Sequence, residues 1–382
     1  MSDAGAPVSL ADYEALARET LDANAWAYFA GGAADEITLA ANRAAWAAHW
    51  LQPRVLRASA QGHTRVELLG RTLAQPILVA PMAFQRLAHE SGELGVALAA
   101  AAQGAGMVLS AQASVPLEQV ARLVRPEPAR GPLWFQLYLQ GERGFDLELV
   151  RRAEAAGYEA LVLTVDAPVH GARDRERRAG FALPRGIAAV NLAGAPAQRL
   201  GGELCGGLLA SAPSWDDVAW LRAQTTLPLV LKGVLHPEDA KLAHALGADA
   251  LIVSNHGGRT LDTALPSAWA LPRIADALAG VRGGALPLLV DGGIRRGTDV
   301  LKAIALGARA VLVGRPIVFA LAAAGPQGVA HALRLLRDEL EIAMALAGVA
   351  TLADVSRELL FEASKSSLGA PWALPGGAPG DA

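Results

Sequence analysis

Eight short apolar runs recur along this chain, at Ile77–Ala80, Met107–Ser110, Trp134–Tyr138, Leu161–Val165, Leu229–Leu231, Leu251–Val253, Leu288–Val290 and Val311–Val313. Each has the length of a strand and none shows the polar alternation of a half-exposed one, so they read as strands buried on both faces. Ala/Leu-rich helical segments separate most of them, such as Glu93–Ala102, Leu147–Ala156, Pro237–Leu246 and Thr298–Leu306. Gly104, Gly157, Gly247 and Gly307 follow these segments, where helix C-caps belong. Strand–helix alternation gives a parallel sheet. Eight units in series suit an α/β fold closed as a (β/α)8 TIM barrel better than an open, doubly wound sheet.

The flanks are read from the same rules. Residues 9–50 have helical spacing, with Ser9 or Asp12 as a cap, a break at Gly31–Gly32, and Asp35–Glu36 suited to the first turn of the next helix. Val66–Leu69 before Gly70 reads as a hairpin arm. The barrel is expected over 76–360, within a single domain spanning 1–368. After strand four the chain takes about sixty residues to reach Leu229, where about twenty would suffice for a crossover. This long loop, about 170–213, carries RDRERR at Arg173–Arg178 and is expected to act as a lid over the catalytic face; its Gly/Ala-rich half equally suits a disordered loop without a role. Gly369–Ala382 is expected to be a disordered tail.

Composition narrows the function classes. The chain has 382 residues, 52% hydrophobic and 19% charged, which calls for a large core. A net charge of −3 argues against a nucleic-acid binder, and no apolar run reaches the roughly 18 residues of a membrane span. The single cysteine, Cys205, excludes a disulfide framework and a cysteine metal cluster. The N-terminus lacks the basic-then-apolar pattern of a signal peptide, and a cytoplasmic location is expected.

Chemistry in such barrels sits at the C-terminal ends of the strands. Those positions hold Pro81–Met82–Ala83, Ser110, Gln136–Tyr138, Thr164–Asp166, Lys232, Ser254–His256, Asp291–Gly292–Gly293 and Gly314–Arg315, nearly all polar or glycine. A purely structural sheet needs none of them. In ALIVSNHGGRTLD, Ala250–Asp262, a strand delivers His256, a side chain that exchanges protons near neutral pH, and Arg259, which can hold a carboxylate by two hydrogen bonds. By itself this motif could be an ordinary polar loop. Asp291–Gly292–Gly293–Ile294–Arg295 and Gly314–Arg315 follow strands seven and eight, where barrels bind phosphate through backbone N–H groups and a nearby cation.

Taken in order, WFQLY, LTVD, VLKG, SNHGGRTLD, LVDGGIRRGTDVLKA and VLVGRP resemble the FMN-dependent 2-hydroxy-acid oxidising family, from about Ala11 to Leu359. The resemblance implies FMN as cofactor, with Pro81, Met82, Ala83, Ser110, Gln136, Thr164 and Ser254 at the isoalloxazine and ribityl chain, and Asp291, Gly292, Gly293, Arg295, Gly314 and Arg315 at the ribityl chain and phosphate. It implies His256 as base, Asp166 as the carboxylate supporting its protonated form, Arg259 and Arg173 as the substrate-carboxylate clamp, Tyr138 and Tyr28 at the substrate, and Lys232 beside the flavin's N1–O2 edge. Residue types and chemistry agree, since oxidising a 2-hydroxy acid needs a neutral base, an anion clamp and a cation near the reduced flavin.

The expected reaction is oxidation of an (S)-2-hydroxy acid to the 2-oxo acid, with hydride passing to flavin N5 and O2 returning H2O2. Gln112, where several short-chain oxidases carry an aromatic residue, and the small Ala83 leave room for a substrate larger than glycolate, aromatic or medium-chain. The alternatives are the same half-reaction with a quinone or protein acceptor and, more distantly, an FMN-barrel isomerase. Membrane and nucleic-acid partners are not expected; a homotetramer is, by the same resemblance.

Overall fold

The computed structural model describes residues 6–57, 61–196, 212–282 and 284–361. Its centre is a closed barrel of eight parallel strands. In chain order the strands are Ile77–Val79, Gly106–Ser110, Leu133–Leu137, Leu161–Thr164, Leu229–Val234, Ala250–Val253, Leu288–Val290 and Ala310–Val313. They are called strands one to eight below. Strand eight closes on strand one through Val311–Ile77 and Val313–Val79 pairing. Nearly every strand residue is buried, which is why the sequence reads as continuous Val, Leu and Ile rather than as alternation. Strand five runs three residues past the apolar Leu229–Leu231, because the buried Lys232 belongs to it.

Helices wrap the outside, and Gly157 ends Arg143–Ala156 in the left-handed conformation that a C-cap requires. The final helix, Arg315–Ala347, breaks at Ala324–Gly325, where Gly325 takes φ 61° ahead of Pro326. Its most apolar stretch is long enough to cross a membrane, but 67% of it is buried against the rest of the molecule.

Three N-terminal helices, Leu10–Thr20, Ala23–Ala30 and Ile37–Ala48, lie across the barrel. Ser9 caps the first, in a reciprocal box with Asp12. The expectation for Asp35–Glu36 needs correcting. Both lie before the third helix; Glu36 takes a left-handed φ of 62° and makes no side-chain cap. Asp262 supplies the cap, accepting from the N–H groups of Asp35, Ile37 and Thr38 at 3.1, 3.3 and 2.8 Å. Val66–Leu68 pairs antiparallel with Arg71–Leu73 as the expected hairpin.

The first half of the long loop is docked. It holds the short helix Asp174–Arg178, and Asn24 exchanges two hydrogen bonds with the backbone of Ala182. Its Gly/Ala-rich part, with Cys205, falls mostly outside the described residues, as does the tail from 362.

Candidate active site

The C-terminal end of the barrel gathers the polar strand ends into one mouth. His256 follows strand six with φ 57°, and Gly257 and Gly258 continue at 62° and 75°. A left-handed histidine costs on the order of 1–3 kcal/mol, strain of the kind that collects at functional sites. The turn is held by the His256 N–H on Ser254 Oγ at 3.0 Å. Its ring is fixed by Asp166, from the end of strand four, with Nδ1 to Oδ1 at 2.8 Å. With Nδ1–H donating there, Nε2 carries the free lone pair.

The charges agree with that tautomer. Burial pushes the His256 imidazolium below the ordinary histidine value; Asp166 opposes the shift and Lys232 adds to it. Burial works against the Asp166 carboxylate, yet His256 and Lys232 outweigh it and hold the group low. At neutral pH the pair is a neutral imidazole beside an ionised carboxylate.

Lys232 lies within strand five, 3.2 Å from Asp291 Oδ2, and donates to Ser254 Oγ at 2.9 Å. Burial favours its neutral form, but Asp291 and Asp166 prevail, raise its pKa and keep it charged. Gly233 explains how Lys232 and Asp166 fit together. It has φ 114°, marks an irregularity in the pairing of strands five and six, and a Cβ there would lie 2.5 Å from Asp166 Cβ. Only glycine fits.

The arginines meet the second N-terminal helix and the long loop. Arg259 donates to the carbonyls of Tyr28 and Gly31 and, through Nη2, to Glu176 at 3.0 Å. Its guanidinium carbon lies 5.0 Å from the centre of the Tyr28 ring. Tyr28 also stacks on Phe181 of the long loop, with centroids 4.7 Å apart. Arg173 reaches the same Glu176 oxygen at 3.6 Å. Tyr138 is half-buried; burial is the largest influence on its phenol, pushed up to about 12, and Lys232, Asp166, Tyr28 and Arg173 all act on it.

Several buried side-chain atoms around this mouth have no partner among the described residues: Gln136 Nε2, Asp166 Oδ2, Asp291 Oδ1, Arg173 Nε and Arg295 Nε. Five such atoms lining one mouth suit a polar ligand there. Ser110 Oγ donates to Gln136 Oε1 and accepts from the Gln112 N–H, both at 3.1 Å, so the Gln136 amide hydrogens face the mouth unpaired. Thr164 and Ser254 are buried beside them, while Pro81, Met82 and Ala83 are partly exposed after strand one. Gly292 and Gly293 take φ 89° and 85°, and Trp46 Nε1 holds the Gly292 carbonyl at 2.7 Å. Beyond strand eight, Gly314 precedes the last helix, whose first turn leaves the Arg315 N–H for an anion, since Pro316 has none and the Ile317 and Val318 N–H groups bond the Gly314 carbonyl. The donor set fits a flavin mononucleotide.

One expected residue serves differently. The Arg315 guanidinium donates to the carbonyls of Phe29, Gly257 and Gly31, at 3.0, 2.8 and 2.7 Å. It clasps the N-terminal segment to the histidine turn, which leaves its backbone N–H in the helix's first turn to face a phosphate. Burial, with Arg259 and Arg295 nearby, lowers it to about 9.

Several contributors to the mouth carry almost no signal in the sequence. Asn42 and Asn255 are buried and exchange amide hydrogen bonds at 2.9 and 2.8 Å, tying the third helix to the turn before His256. Glu176 joins the two arginines. His170, on the same loop, is a second imidazole near the clamp, its pKa lowered by burial and then by Arg173. No periodicity signals any of these; only the RDRERR charge run pointed toward Glu176.

A parallel barrel whose mouth gathers a histidine–carboxylate pair, a buried lysine, two arginines and two glycine-rich turns suits a flavin-dependent oxidoreductase. The comparisons agree. The model of the FMN-dependent dehydrogenase family matches residues 17–362. The chain is 51% identical to an L-lactate oxidase of Alicycliphilus denitrificans, over 91% of this chain and 95% of that one. It is 46% identical to a 4-hydroxymandelate oxidase of Amycolatopsis orientalis, over 89% and 94%. Among solved structures, a mandelate oxidase with (S)-2-phenylpropionate superposes with a TM-score of 0.83 at 44% identity, covering 93% of this chain and 98% of that one. The chain belongs to the FMN-dependent dehydrogenase family, as an FMN-dependent enzyme of the 2-hydroxy-acid oxidase type.

Proposed function

We propose that the protein oxidises (S)-2-hydroxy acids to 2-oxo acids and passes the electrons to O2 as H2O2. The observation that carries the reading is one mouth in which the His256–Asp166 pair, at 2.8 Å, shares its space with two half-buried arginines. FMN, when bound, supplies the two-electron acceptor that the protein's own side chains lack. Gln136, Ser110, Thr164 and Ser254 would hold its ring system and ribityl chain. Gly292, Gly293, Gly314, Arg295 and the Arg315 N–H would hold its phosphate.

The side chains divide the remaining work. His256 Nε2 takes the hydroxyl proton, and Asp166 stabilises the imidazolium that forms. Arg259 and Arg173 bind the substrate carboxylate, which fixes the α-carbon and hydroxyl relative to Nε2. Tyr138, protonated throughout, offers a hydrogen bond to the substrate. Lys232 keeps a positive charge where electron density builds as the substrate is oxidised. The reaction balances: the hydroxy acid loses two electrons and two protons, and O2 gains both.

The likeness to an L-lactate oxidase and a 4-hydroxymandelate oxidase supports the substrate class. The small Ala83 and the Gln112 position support a side chain larger than hydrogen. The test is to follow O2 consumption and H2O2 formation with glycolate, lactate, 2-hydroxyoctanoate and mandelate. One H2O2 per O2, with a larger acid preferred over glycolate, supports the reading. Turnover that needs a quinone or another added acceptor assigns the protein as a dehydrogenase instead.

A further inference from the structure

Glu93 is fully buried in the first turn of the helix Gly92–Ala102. Its Oε1 accepts from the N–H groups of Gln85 and Ser114 at 3.1 and 2.8 Å, and its Oε2 from the Ser114 hydroxyl at 2.7 Å. Gln85 follows strand one and Ser114 follows strand two, so one carboxylate joins the two loops that carry Ala83 and Gln112. A buried backbone N–H can only donate and needs an acceptor. A buried carboxylate is costly unless its oxygens are bonded, and these donors satisfy both.

The same seam fixes Phe84. The N–H groups of Phe84, Gln85 and Arg86 go in turn to the Gln112 carbonyl at 3.2 Å, to Glu93, and to Ser114 Oγ at 3.3 Å. Phe84 takes a left-handed φ of 52°, which a bulky residue keeps only where its surroundings hold it there. Its ring centre lies 6.0 Å from that of Tyr28, the ring beside Arg259. Phe84 thus reaches from its chain neighbour Ala83 toward the clamp.

We propose that Glu93 is a positioning residue that sets the width of the substrate's side-chain pocket, by holding Ala83 and Phe84 at a fixed separation from Gln112. The proposal rests on the 2-hydroxy-acid reading above and deepens it, since the choice between small and large acids then depends on a carboxylate that touches neither substrate nor flavin. A bulky side chain gains from many weak contacts with a fixed wall, and glycolate makes few of them. Loosening the seam therefore costs the larger acid more.

The test uses FMN-loaded enzyme and titrates the non-reacting acids phenylacetate and acetate by flavin absorbance, alongside turnover of mandelate and glycolate. E93Q keeps an oxygen for the two N–H groups, and its amide donates to Ser114 Oγ, so the seam survives. E93A leaves three buried donors without their acceptor. S114A removes only the hydroxyl's bonds to Glu93 and Arg86. The preference for phenylacetate over acetate, and for mandelate over glycolate in kcat/KM, should fall about tenfold in E93A and about threefold in S114A, and stay within about twofold in E93Q. An unchanged preference in E93A and S114A, or an equal loss on both acids of each pair, overturns the proposal and leaves the 2-hydroxy-acid reading standing. If E93A does not fold, S114A decides by the same criterion. A wild type that binds and oxidises none of these acids overturns that reading and the proposal together.

Discussion

His256 Nδ1 and Asp166 Oδ1 stand 2.8 Å apart, one at the end of barrel strand six and the other at the end of strand four. The fifth strand between them makes this possible through Gly233, whose missing Cβ lets Asp166 approach. The pair is therefore a product of three adjacent strands and one glycine. Its consequences are testable.

Replacing His256 with alanine removes the base but none of the proposed flavin contacts. The variant should stay yellow and lose about 10²–10⁴-fold in the rate of flavin reduction by substrate. Rapid-mixing absorbance measures this directly. Reduction at the wild-type rate would remove His256 from the role.

The pH profile gives an independent check. His256 must be neutral to accept a proton, so kcat/KM should rise with pH and level off at a pKa below the ordinary histidine value, because burial disfavours the imidazolium. Asp166 pulls that pKa upward. In Asp166→Asn the acid limb should therefore move to lower pH while the plateau rate drops. A limb that moves to higher pH would contradict the electrostatic account.

Arg259→Lys keeps the charge but loses the planar fork. It should lower kcat/KM about 10²-fold, mainly through KM. The loss should be much smaller for an uncharged 2-hydroxy amide. Equal losses for acid and amide would mean that the arginine acts through folding alone.

Asp262 caps the third N-terminal helix from 224 to 227 residues away in sequence. Asp262→Ala should cost about 1–2 kcal/mol, seen as a lower Tm and faster hydrogen exchange in 35–40. It should also weaken substrate binding, since this helix packs on Gly258 beside the histidine turn. Unchanged exchange in that segment would show that the cap contributes nothing.

The barrel was legible because buried parallel strands spell out continuous apolar runs, and the helix-ending glycines punctuate them. Strand ends were legible because Gln136, Lys232 and His256 have no structural reason to sit there. Contacts between distant segments were not. Asn42 with Asn255, Asp262 with the third helix, and Glu176 with both arginines depend on how the N-terminal helices and the long loop fold back over the mouth. Single-sequence patterns carry no record of that. Arg315 shows the same gap: its place near the cradle could be read, but its guanidinium turned toward Gly31 and Gly257 could not.

The central claim is that this mouth reduces FMN with 2-hydroxy acids. Anaerobic mixing of the purified flavoprotein with a panel of 2-hydroxy acids, followed by admission of air, tests it most directly. The account predicts loss of the oxidised flavin absorbance, faster with mandelate or a medium-chain acid than with glycolate, and prompt recovery in air. Flavin that binds tightly yet stays oxidised with every (S)-2-hydroxy acid would contradict it.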